Sequence, residues 1–155
     1  MPEETIFTQI LKLVPLAALI ITVTGWVVSS RFSSRNTGIH AKNTEINKLI
    51  DALNKALDDI FNEMATVLSS TYDDTQKTIS YYKFIMMIKN VHFICDAIQK
   101  LDAEQKTDYM KILTLRQTCT NDRKYDPKKI NTTLPQLQDI QEQIKRSYSK
   151  KFTFK

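Results

Sequence analysis

Apolar positions follow two different patterns along the chain. From Ile10 to Val28 they run almost unbroken, with Lys12 as the one charge, and the run stops at Ser29-Ser30-Arg31. About 20 such residues rising about 1.5 Å each span the hydrocarbon of a bilayer. The leader MPEETIFTQ carries two acids and no base, unlike a cleaved signal, so the run predicts a retained transmembrane helix. Lys12 near one end and Trp26 near the other suit the headgroup region. Arg31, Arg35, Lys42 and Lys48 follow the span closely, which puts the N-terminus outside and the rest in the cytoplasm.

The second pattern begins at Ile46. Ile46, Ile50, Leu53, Leu57, Ile60, Met64 and Val67 alternate spacings of four and three, an a/d heptad seam held for about three repeats. Such a seam faces either the core of a bundle, a reading that Leu49, Ala56, Phe61 and Leu68 widen, or a second copy in a coiled coil. Asn43 or Thr44 offers a cap for its start. After SSTYDDT, a second helix is predicted from Gln76 to Leu101. Its middle, YYKFIMMIKNVHFIC, is apolar on most sides, as for a helix packed by several neighbours or covered by another subunit. A third helix is predicted over Glu104 to Thr118, with Tyr109, Ile112, Leu113 and Leu115 apolar. A fourth starts near Thr132 or Thr133 and Pro135, with Leu137, Ile140, Ile144 and Tyr148 on one face.

With only two glycines in 155 residues, hairpins and phosphate-cradling loops are excluded, and the class expected is all-α. The organisation predicted is an anchor over 1–33, a cytoplasmic helical bundle of about four helices over 34–148, and a basic tail over 149–155. Cys95 and Cys119 lack metal or redox spacing and are expected as free thiols. Charge is segregated: Glu45 to Asp74 holds seven acids and two bases, whereas Lys145 to Lys155 holds five bases and no acid. These patches can meet within one chain or between neighbours. The tail, with Tyr148, Phe152 and Phe154 among its lysines, suits the inner leaflet, and Lys150 and Lys151 join Lys12, Trp26, Arg31 and Arg35 as membrane-surface candidates.

Within the anchor, Ala18, Thr22, Gly25 and Ser29 form a stripe of small residues at i, i+4, i+7 and i+11, which lets transmembrane helices approach closely. Leu16, Ile20, Val23 and Val27 face the other way, towards lipid. The stripe, together with Ile50, Leu53, Leu57 and Ile60 of the heptad seam, is the expected oligomer interface. No nucleophile elbow, metal-binding cluster or paired carboxylates with assigned roles are present, so no catalytic residue, metal or cofactor is expected, and nucleic acid is not an expected partner. His92 reads as a core histidine with no partner spaced to make a site.

Arg35-Asn36-Thr37-Gly38-Ile39-His40 has the form of the R-x4-6-H motif of HEPN ribonucleases. There arginine neutralises charge on the phosphorane and histidine transfers a proton. In a juxtamembrane connector containing Gly38, Arg31 and Arg35 read instead as holding lipid headgroups, and His40 as a solvated linker residue. One short anchor, the exit SSRFSSRN and a helical cytoplasmic part resemble small bacterial single-span membrane proteins. Among these the layout is similar to the membrane accessory protein of type VI-B CRISPR loci, described as HEPN-like and pore-forming. That resemblance implies a self-assembling, pore-like effector of phage defence at the inner membrane, whose partners are the bilayer, copies of itself and a cytoplasmic protein or RNA-guided effector. A membrane-tethered ribonuclease using Arg35 and His40, and an adaptor recruiting a partner through the tail, are the alternatives.

Overall fold

The computed structural model describes the backbone of residues 3–120 and 125–152, and the side chains of 21–33, 37–120 and 125–152. Among these the protein is all-α: α1 covers Glu3–Ser69, α2 Asp74–Leu101, α3 Tyr109–Thr120 and α4 Ile130–Lys145, with a short 3-10 turn at Pro127–Lys129 and no strand. The chain divides into two compact units, Met1–Ala41 and Lys42–Lys155.

In the first unit α1 is helical throughout, so the expected connector after residue 33 does not exist as a break. Asn43 and Thr44 likewise lie inside the helix instead of capping it. Gly38 is absorbed at the usual helix-interior cost of about 1 kcal/mol. Every described side chain from 21 to 33 and from 37 to 42 is exposed, among them Ile21, Val23, Trp26 and Phe32. Among the described residues no helix is long and apolar enough to cross a membrane. Side chains 10–20, the first half of the expected span, lie outside that description, as do Lys12, Ala18 and Arg35.

The second unit is a four-helix bundle built on the C-terminal part of α1. All seven residues of the heptad seam are buried, with Leu53, Leu57, Ile60 and Val67 at zero exposure. They pack in one core with Phe84, Ile88, Val91, Cys95 and Ile98 of α2, Ile112, Leu115 and Cys119 of α3, and Leu137, Ile140 and Ile144 of α4. The assignment of Ile50, Leu53, Leu57 and Ile60 to an oligomer interface is therefore corrected: their surface is spent inside the chain.

Local chemistry sets the helix ends. Asp73 accepts a hydrogen bond from the Gln76 amide at 2.7 Å while the Gln76 side chain accepts from the Asp73 amide at 3.1 Å, a reciprocal capping box that starts α2 two residues before the predicted Gln76. Helix α3 starts at Tyr109, later than predicted, because Asp108 accepts from the amides of Met110 and Lys111 and caps it there. Before α4, Asp126 caps the Lys128 amide at 3.0 Å, so the helix is entered early and Pro135 lies inside it. The buried Gln141 donates Nε2 to the Leu57 carbonyl at 2.6 Å, tying α4 to the middle of the α1 seam. Leu53→Ala is expected to cost about 3 kcal/mol of unfolding free energy, as for a fully buried leucine. In urea titrations that loss should be the same at every protein concentration; a loss that shrinks as concentration rises would return the seam to an interface between subunits.

Candidate functional site

The chain's exposed apolar surface begins with one flank of α1. Small and hydroxyl residues continue down it past the anchor stripe: Ser29, Ser33, Thr37 and Ala41 follow at intervals of four, and with Trp26 and Gly38 they line a shallow groove on the helix surface. Thr37 donates its hydroxyl to the Ser33 carbonyl at 2.9 Å. A Cβ built at Gly25 or Gly38 meets no atom within 4 Å. Of the expected stripe, Thr22, Gly25 and Ser29 are described and exposed, and so are Trp26 and Arg31 of the membrane-surface set.

The R-x4-6-H residues sit on this same helix. Positions 35 and 40 are five apart, which on a continuous α-helix separates them by about 140°. His40 is exposed. The backbone therefore does not bring the two positions to one face within a protomer.

The basic tail is held by the bundle. Lys145 pairs with Asp58 at 2.7 Å and Lys150 with Asp51 at 2.7 Å, so the opposite charge patches meet within the chain. Lys151 is held more firmly. Its ammonium reaches Asp102 at 2.9 Å and Glu104 at 3.2 Å, its amide donates to Asn47 Oδ1 at 2.8 Å, and its carbonyl accepts from Asn47 Nδ2 at 2.9 Å. Gln105 completes the clasp by donating to Asp102 and accepting from the Ser149 amide, both at 2.8 Å. Lys150 and Lys151, expected at the membrane surface, are paired within the chain with Asp51 and with Asp102 and Glu104, respectively. Hydrogen bonds from Gln105 and then Lys151 hold the Asp102 carboxyl below the ordinary carboxylate range.

A second polar corner was not anticipated. Asp96 Oδ1 accepts from the hydroxyls of Thr107 at 3.2 Å and Tyr109 at 3.3 Å, and the Asp96 charge raises the Tyr109 phenol. His92 Nε2 lies 3.3 Å from Asp96 Oδ2 but makes no aligned hydrogen bond, and its ring meets Tyr109 edge-on at 5.3 Å. The i, i+4 spacing of His92 and Asp96 is the signal that reveals this pair, and it corrects the reading of His92 as unpartnered. Beneath it, Tyr148 and Cys95 line a small internal pocket with Ile112 and Ile144. Burial raises the Tyr148 phenol and the Cys95 thiol and pushes Cys119 up to about 12, which disfavours the thiolate at both free cysteines. Among the described residues no group of His, Cys, Asp and Glu is arranged to hold a metal ion.

No protein-family model, curated protein or solved structure matches this chain. The clasp has a pH signature. A carboxyl held low in the fold contributes stability that is complete above its unfolded value of about 3.9 and is lost as pH falls through the lower folded value. The Lys151 amide resonance should therefore stay at its folded position down to about pH 4 and move towards the random-coil position only below it. In Asp102→Asn the exchange of that amide should rise roughly tenfold at pH 7; an unchanged rate would show that the tail is held without Asp102.

Proposed function

We propose that the protein is a self-assembling, single-span membrane protein whose helical bundle lies on the cytoplasmic side. The observation that carries the reading is the first unit. The described side chains of residues 21–33 are all exposed, and Ile21, Val23, Trp26, Val27, Val28 and Phe32 among them leave only the flank of small residues without a large apolar side chain. Water is a poor solvent for such a surface, and lipid together with neighbouring copies is the natural cover. The flank of Thr22, Gly25, Ser29, Ser33, Thr37 and Ala41 suits contact between helices, because small residues let backbones approach and hydroxyls bond across the contact. Arg31 and Lys42 after the run favour a cytoplasmic bundle. The resemblance in layout to the type VI-B accessory protein extends the proposal to a pore-like or membrane-perturbing effector of phage defence at the bacterial inner membrane, without catalysis by this chain.

Native mass spectrometry of the full-length protein in detergent tests the assembly. The wild type should give a defined oligomer, and Gly25→Leu should weaken association at least tenfold. Open space around Gly25 means that the substitution leaves the protomer itself undisturbed. Val23→Leu, on the lipid-facing side, should change nothing. A monomer in all three would contradict the proposal.

A further inference from the structure

Residues 149–152 follow α4 without helical structure, and they bury no apolar side chain: Ser149, Lys150 and Phe152 are exposed, Phe152 to 70%. They are nevertheless held at defined points. The Asn47 side chain on α1 takes Lys151 by both sides of its backbone, Oδ1 accepting from the amide at 2.8 Å and Nδ2 donating to the carbonyl at 2.9 Å. Two residues earlier, Gln105 Oε1 accepts from the Ser149 amide at 2.8 Å. These contacts read peptide backbone. A side chain is read at one place, where the Lys151 ammonium reaches Asp102 Oδ2 at 2.9 Å and Glu104 Oε2 at 3.2 Å. The receiving Asp102 carboxylate is itself fixed, accepting from Gln105 Nε2 at 2.8 Å and from the Glu104 amide at 3.3 Å, and both Asp102 and Gln105 are buried.

We propose that Asn47, Asp102, Glu104 and Gln105 form a socket for a non-helical peptide segment carrying a lysine, and that the chain's own tail fills it as a strap exchangeable for such a segment of another protein. The backbone that carries the socket is set without the tail. Asn47 lies on α1, the Asp102 amide donates to the Ile98 carbonyl at the end of α2, and the Gln105 amide donates to the Asp102 carbonyl at 3.0 Å. The strap, by contrast, is attached by polar contacts alone, whose net gain is small because water satisfies the same groups after release. Lys150 adds a pair with Asp51 that is exposed and therefore weak. A segment so held opens while the core beneath it stays folded. What favours the strap over a free peptide is its attachment to the buried Tyr148, which gives it a high effective concentration at the socket. The inference concerns the bundle alone and does not depend on the anchor or its assembly.

Two measurements on the full-length protein in detergent test it. In the wild type, the Lys151 amide should exchange roughly a hundredfold faster than the Leu57 amide of the core, because the strap opens without the bundle. Equal rates would make the tail part of the cooperative fold and overturn the proposal. The second measurement empties the socket: Lys151→Pro removes both the amide N–H and the ammonium of the strap. The N-acetylated peptide SKKFTFK, the sequence of residues 149–155, is then titrated in and followed at the Asn47 and Gln105 side-chain amides. It should bind this variant roughly tenfold more tightly than the wild type, whose strap competes. Alanine at the third position of the peptide should weaken binding roughly tenfold, and alanine at the second about twofold at most, because the second lysine meets only an exposed carboxylate. Equal losses at the two positions would reduce the interaction to net charge, and no binding to Lys151→Pro would remove the socket. Loss of the folded spectrum in Lys151→Pro would also overturn the proposal, since the tail would then be required for the fold.

Discussion

The bundle depends on burying one stripe of α1. Ile46, Ile50, Leu53, Leu57, Ile60, Met64 and Val67 form a continuous apolar ridge that no single helix can cover. At about 1.5–3 kcal/mol for each side chain removed from water, this ridge is the largest single driving force in the second unit. The other helices are arranged to meet it. Phe84 to Ile98 supply a matching face on α2, Leu137 to Ile144 supply one on α4, and α3 closes the remaining side through Ile112, Leu115 and Cys119. The heptad spacing, which equally suits a coiled coil between chains, is thereby satisfied inside one chain.

Polar contacts then choose among the registers that burial permits. Gln141 donating to the Leu57 carbonyl fixes α4 along α1, and the Asn47, Asp102, Gln105 and Lys151 clasp ties residues 149–151 to α1 and to the end of α2. The exposed ion pairs of Lys145 and Lys150 add little energy in water. They do account for the charge segregation: an acidic α1 receives a basic tail of the same chain.

The all-α class, the heptad helix, the break at Ser70–Asp73 and the buried face of α4 were legible because each is a local pattern of spacing, capping or composition. The choice between an intramolecular core and a coiled coil was not, since both bury the same positions and only the tertiary partners differ. The pairing of the tail is not legible for a related reason. Lys150 and Lys151 look solvated until Asp51, Asn47, Asp102 and Glu104, remote in sequence, are brought beside them. Gly38 makes Arg35 to His40 read as a juxtamembrane connector, yet one glycine costs too little to break a helix that continues on both sides. In the candidate site, the small stripe was legible as far as Ser29; its continuation through Ser33, Thr37 and Ala41 became visible only once the helix was seen to be unbroken.

Among the described residues, large apolar side chains stay exposed on α1 around Trp26 and on the outer side of α2. Trp26 is the single tryptophan of the chain and is 73% exposed, so its fluorescence reports the environment of the N-terminal part of α1 alone. The measurement is its emission in the full-length protein reconstituted into vesicles, with lipids brominated along the acyl chain as one quencher and aqueous iodide as the other. The account predicts a blue-shifted emission that brominated lipid quenches and iodide does not. A red emission, quenched by iodide and indifferent to the lipid, would place Trp26 in water and contradict the membrane reading.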